Sequence, residues 1–325
     1  MNTRCSIPLL AVAIITLTCL ASGETAIYLL PRQIVDARRL DEQGRTGEAL
    51  KILEPLVHDP PVAWDQPVRG VACNVLGSIY KNMERYDQAR HFYEASIHIL
   101  SSFPDEQLET ASAIDNLGGL EELTGQLDAS KALRLRALNL YEKIKNHAGI
   151  ALASNNLASI ALRQHDLSAA RRWVRKTFDE IRLTVEMDET NLAAIYTVKG
   201  ALARSEKSFT EAIEAYQYAA EFLIRAWGPD CSRLGQVYAL RGEAYGLAGD
   251  YRQAEADFQK ALSLLKMNQS NSRTYWKVQL AYASMLRAAG SQAKAAHLAQ
   301  EAKIRLTNLS RAQCDGCTIS AESFR

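Results

Sequence analysis

Residues 242–261 read GEAYGLAGDYRQAEADFQKA, and their spacing predicts two helices joined by a tight turn. Gly242 and Ala254 are small where two helix backbones must cross closely, while Tyr245 and Phe258 supply the volume beside them. Ala254, Phe258 and Ala261 recur at helical spacing and share one face. Gly249 stands between the two patterns, at a helix end where left-handed backbone is open to Gly and a few polar residues.

Working outward, the same pair of small residues, twelve apart, returns along the chain. Its first member is Ala37, Gly77, Gly118, Ala158, Gly200, Gly242 and Ala283, in steps of 40, 41, 40, 42, 42 and 41. Its second member is Ala49, Ala89, Ser130, Ala170, Ala212, Ala254 and Ala295. A unit of this kind cannot bury its apolar face alone and must stack on its neighbours. The expected fold is therefore all-α, a right-handed α-solenoid of about seven helix-turn-helix units. They are placed at residues 30–62, 70–103, 111–145, 151–185, 193–227, 235–268 and 276–309, within an array covering 24–309. Gly44, Gly125, Gly249 and Gly290 fall at the turns, and a tail of residues 310–325 follows the array.

These small pairs, turn glycines and aromatics resemble the tetratricopeptide repeat. The step of about 41 residues, with Gly228-Pro229-Asp230 and Phe103-Pro104-Asp105 at unit junctions, is similar to the longer kinesin light chain type. The resemblance implies a non-enzymatic scaffold for protein–protein interaction, with a peptide or partner protein lying on a concave face lined by the first helices. On that face Asn74, Asp115 and Asn155 hold one equivalent site, and Asn116 and Asn156 hold the next. Side-chain amides both donate and accept, so a ladder of them can pair with an extended backbone without reading its sequence. Lys81, Arg163 and Arg204 stand near the later turns of their helices and could meet acidic groups. The alternative is that all eight are ordinary solvated helix-face residues. The third unit breaks the pattern: Glu121 and Arg134 occupy the sites of Tyr80 and Tyr93, and either meet each other or bend out to water.

The amino terminus carries Arg4, an apolar run from Ile7 to Leu20 and Ala21-Ser22-Gly23, the form of a secretory signal peptide cleaved before Glu24. The protein is thus expected to be exported, periplasmic or secreted, without a stable membrane span after cleavage. A partial lipobox ending at Cys19 and an uncleaved signal anchor are the alternatives. Removing residues 1–23 leaves 37 basic against 37 acidic side chains. That balance gives no argument for a nucleic-acid or anionic-membrane partner. No phosphate loop, zinc-binding helix or serine elbow is present, so no enzyme activity, cofactor or metal is expected.

Cys314 and Cys317 form a CxxC pair in the tail, read as a small disulfide loop in an oxidising compartment, with a thiol-redox or metal-carrying accessory protein as the competing function. The seventh unit's second helix is read from about Gln292 to Leu309, with no capping helix beyond. Ala295, Leu298, Ala299, Ala302, Ile304 and Leu306 would then leave apolar surface at the end of the array, inviting self-association through the C-terminal repeat or a partner.

Overall fold

In a computed structural model that describes residues 31–42, 44–59, 66–268 and 273–315, one turn geometry closes each helical hairpin. At the sixth, Asp250 N donates to Tyr245 O and Gly249 N to Gly246 O, while Gly249 has φ +86°. This left-handed closure satisfies carbonyls that a helix end otherwise leaves open. The same bonds recur with Gly44, Glu84, Gly125, His165, Lys207 and Gly290 in the left-handed position. Glycine fills it at four turns; Glu84, His165 and Lys207 hold φ of 60°, 59° and 62° without that freedom.

The described residues form two compact units divided between Leu100 and Ser101. The first contains α1 (Arg32–Glu42) with α2 (Thr46–His58), and α3 (Gln66–Asn82) with α4 (Tyr86–Leu100). The second begins with a 3-10 turn at Pro104–Glu106 and continues as five hairpins. These are α5 (Gln107–Leu123) with α6 (Leu127–Lys143), and α7 (His147–Arg163) with α8 (Leu167–Ile181). Next come α9 (Glu189–Ser205) with α10 (Phe209–Trp227), α11 (Ser232–Ala248) with α12 (Tyr251–Asn268), and α13 (Arg273–Ala288) with α14 (Gln292–Asp315). No strand occurs among the described residues. The fold is the expected all-α stacking of helix-turn-helix units.

The small pairs sit where the sequence put them. All fourteen residues are buried, and a Cβ added to Gly77, Gly200 or Gly242 would come within 2.7, 2.7 and 3.2 Å of the rings of Tyr93, Tyr216 and Phe258. These three hairpins close by laying an aromatic side chain from the second helix onto a bare stretch of the first. Burying such a ring stabilises by about 1.5–3 kcal/mol. Seven residues beyond the second small site, Ser96, Ala137, Thr177, Ala219, Ala261 and Ala302 are all buried, whereas Leu56 is only half-buried. The first hairpin is therefore the more loosely closed end, as its larger residue predicts. Between hairpins, Phe178 of α8 meets Tyr196 of α9 edge-on, and Phe258 of α12 stacks on Tyr282 of α13.

The carboxyl end differs from the expectation. α14 continues past Leu309 to Asp315 and carries Cys314 in its last turn; Cys317 lies outside the described residues. Of the six apolar residues named there, Ala295, Ala299 and Ala302 are buried, Leu298 and Leu306 half-buried, and Ile304 alone is exposed. Lysines, glutamines and an arginine occupy the outward positions, so α14 presents a mainly polar face. The signal peptide at 1–23, with the alternative at Cys19, also lies outside the described residues.

Candidate functional site

The sequence-predicted polar residues divide between the two units. In the first, Asn74 lies on α3 and is 5% exposed, while Lys81 is half-buried in the last turn of the same helix. Beside it Asn82 donates to Asp41 of α1 at 2.7 Å. Burial pushes the Asp41 carboxyl above its ordinary range, against hydrogen bonds from Thr46 and Asn82.

In the second unit, α5 and α7 bring Asp115, Asn116, Asn155, Asn156 and Arg163 onto neighbouring turns. Asn156 Nδ2 donates to Asp115 Oδ2 at 3.2 Å, and Arg163 Nη1 donates to the carbonyl and the carboxylate of Glu122, both at 3.2 Å. Ser159 adds a bond to the same carboxylate at 3.4 Å. Arg204 of α9 reaches Glu243 of α11 in the corresponding way. The two arginines that were expected to await an acidic ligand are thus tied across adjacent first helices, where each opposes a carboxylate one repeat away. Asn155 is only 5% exposed, packed inside its hairpin, and Asn74 is equally enclosed. An incoming chain would meet less of these two than of their neighbours. Asn116, Asn156, Arg163 and Arg204 keep accessible surface.

Arg134 organises this region. Its methylene stem lies on Gly118, with an added Cβ only 3.2 Å from Arg134 Cδ, in the position that Tyr93, Tyr216 and Phe258 rings take elsewhere. Gly119 makes the same room for the guanidinium, 3.1 Å from Nη2. Two adjacent glycines on α5 are thus the space in which a charged side chain replaces an aromatic one. The guanidinium then donates to Asp115 O at 2.7 Å, pairs with Asp115 Oδ1 at 2.6 Å and approaches Glu122 at 3.8 Å. Neither Arg134 nor Glu121 bends out to water, being 7% and 3% exposed. Arg134 pairs with Asp115 and approaches Glu122, the residue after the Glu121 that register places opposite it. Burial, with the nearby Asp115 and Glu109 charges, drives the Tyr141 hydroxyl well above the usual tyrosine range.

A second internal charge pair went unread in the sequence. Arg241 of α11 binds Asp257 of α12 through two 2.7 Å bonds and also donates to Gln217 of α10. The signal was present: Asp257 directly precedes Phe258 on a face otherwise committed to burial. Among the described residues no cluster of His, Cys, Asp or Glu is arranged to hold a metal ion, and no helix is long and apolar enough to cross a membrane.

Comparison with known proteins gives a consistent answer. Tetratricopeptide-repeat patterns match residues 109–179 and 191–267, and a second pattern of the same repeat matches 71–99, together just over half the chain. The crystal structure of apo RapI aligns with a TM-score of 0.65 over 85% of this chain and 98% of its own length, at 9% identity. The Rap conjugation gene regulator of plasmid pLS20, solved with the Phr* peptide, gives 0.62 over 86% and 74%, at 13% identity. A tetratricopeptide repeat protein from Parabacteroides merdae gives 0.51 over 84% and 91%, at 15% identity. No curated protein matches the sequence. At these identities the structural likeness speaks for the fold. Repeat period, hairpin closure and the matched patterns agree, and the chain belongs to the tetratricopeptide-repeat family.

Proposed function

We propose that this protein is an exported, non-enzymatic scaffold that binds an extended peptide or a partner protein on the first-helix face of its second unit. The observation that carries the reading is the pair of inter-repeat bonds between α5 and α7, where Asn156 binds Asp115 and Arg163 binds Glu122, with the part-exposed Asn116 on the same stretch of α5. Those bonds fix the side chains before a ligand arrives, so less rotamer freedom is lost on binding. The peptide bound by the pLS20 Rap regulator supports this use of the fold. The long repeat and the Gly228-Pro229-Asp230 junction, with Gly228 at φ +81°, favour the kinesin light chain subtype. Export rests on the apolar run and small-residue cleavage site at residues 7–23.

The test is affinity capture from the native envelope or secretome, comparing the wild type with the double variant Asn116→Ala, Asn156→Ala. Partner recovery should fall while helicity stays unchanged; full recovery would move the site to another surface. Mass spectrometry of the exported protein should find Glu24 at its amino terminus. An intact residue 1 in the mature form would reject cleavage.

A further inference from the structure

The second unit carries a groove of about 440 Å³ that the first-helix reading does not use. One wall is a stripe of α6, where Arg136, Asn139, Leu140 and Lys143 recur at helical spacing; the other is Phe103, Pro104 and Gln107 at the entry to α5. Gln107 Nε2 donates to Pro104 O at 2.9 Å, but its buried Oε1 has no hydrogen-bond partner. An acceptor in that position can take a hydrogen bond from a donor that enters the groove. Arg136 and Lys143 are exposed and form no ion pair among the described residues.

Exposed cations also lie beyond the groove. Lys131 on α6 and Arg175 on α8 are likewise exposed without a carboxylate, and Arg172 donates only to Ser168. Lys176 of α8 reaches Glu142 of α6 at 2.7 Å, which joins the two second helices into one surface and neutralises one of its acids. A chain with a net charge of only +1 thus carries several exposed, unpaired cations on α6 and α8. Such a field steers acidic partners and raises their association rate.

We infer that this groove docks an acidic polypeptide segment: carboxylates on Arg136 and Lys143, an apolar side chain against Phe103, Pro104 and Leu140, and a backbone N–H donated to Gln107 Oε1. The acceptor beside the two cations favours a peptide among anionic ligands. A phosphate group brings negative charge but no N–H of its own, whereas a peptide backbone places an N–H next to each side chain. The inference deepens the scaffold reading, on which it rests, by giving a second docking place and the chemistry of what enters it.

The probe is a panel of fluorescein-labelled octapeptides, each with two or three Asp or Glu residues and one Leu or Phe, paired with counterparts carrying Asn and Gln instead. Fluorescence anisotropy on the full-length protein should show binding of acidic members that weakens as salt is raised, and none of the amide counterparts. The variant Arg136→Glu, Lys143→Glu should weaken it by about tenfold or more through like-charge opposition. Both side chains are exposed, so the circular dichroism spectrum serves to show that the fold survives. Gln107→Leu should weaken binding several-fold at unchanged salt dependence. Equal binding of acidic and amide peptides, no binding of either, or indifference to the charge reversal would overturn the inference. Sedimentation with phosphatidylserine vesicles without any preference for acidic peptides would overturn it in favour of a lipid surface. If the panel stays silent while partner capture still depends on Asn116 and Asn156, the groove inference fails and the scaffold reading stands.

Discussion

Replacing Gly200 by Ala tests the closure of the fifth hairpin at a single methyl group. The new Cβ would stand 2.7, 2.8 and 2.9 Å from Cε1, Cδ1 and Cζ of Tyr216, against the roughly 3.5–4.0 Å of a favourable carbon contact. The ring would have to retreat by about 0.8 Å to restore that separation. It has nowhere to go: Tyr216 is 0% exposed, among Ala212, Ala219, Ala220 and Leu223 in a core shared by α9, α10 and α11. Overpacking of this kind costs about 1–3 kcal/mol, and the helix-propensity gain of Ala over Gly returns about 1 kcal/mol. The expected balance is a loss of about 1 kcal/mol, or a fall of a few degrees in melting temperature. Gly246→Ala is the matched control in α11, because its Cβ would meet a single close atom, Met285 Cγ at 3.0 Å, in an unbranched side chain that adjusts more readily than a ring. It should be neutral or slightly stabilising. Urea and thermal unfolding of both variants, followed by circular dichroism, make the comparison. A Gly200→Ala protein as stable as the Gly246→Ala protein would show that the hairpin does not close on this contact.

Arg134→Ala should cost about 3 kcal/mol by leaving Asp115 enclosed without its counter-charge; a urea midpoint barely moved would show the network to be dispensable. Burial pushes the Cys73 thiol up to about 11, so in the native protein at pH 8 it should resist alkylation until denaturant is added, as read by mass spectrometry of its peptide; ready labelling would contradict its placement. Burial likewise raises Tyr80 and Tyr216 to about 12. Because these folded values lie above the ~10 of an unfolded tyrosine, their contribution to stability is complete below pH 10 and is lost as pH rises through about 12. Tyr216→Phe should flatten that alkaline loss, and an unchanged pH profile would refute the assignment.

Backbone architecture was legible because it is set by residues that have no choice. Gly77, Gly200 and Gly242 are demanded by rings that touch them, and the 41-residue step copies that demand along the chain. The polar surface was less legible, since register fixes where a side chain starts and not where it ends. Arg134 was placed opposite Glu121, but its long stem carries the guanidinium along α5 to Asp115 and Glu122. Asn155 and Asn156 differ by one position on one helix, yet one packs inside and the other reaches Asp115. The groove beside Arg136 was invisible for another reason: it joins a unit junction to the exposed stripe of a second helix, and repeat grammar describes only that helix's buried face.

The turn ladder grades the stiffness of the array along its length. Left-handed backbone costs an ordinary side chain about 1–2 kcal/mol, a penalty that Glu84, His165 and Lys207 carry and that the glycine turns avoid. His165 and Lys207 close consecutive hairpins in the second unit, directly after the one braced by Arg134. Lys145, with φ 55°, carries the same penalty where α6 meets α7. Amide exchange should therefore begin at these three turns, and native-state proteolysis should cut there before it cuts at Gly125 or Gly249. A partner drawn across α7 and α9 would grip a segment that yields, flanked on either side by hairpins that hold their shape.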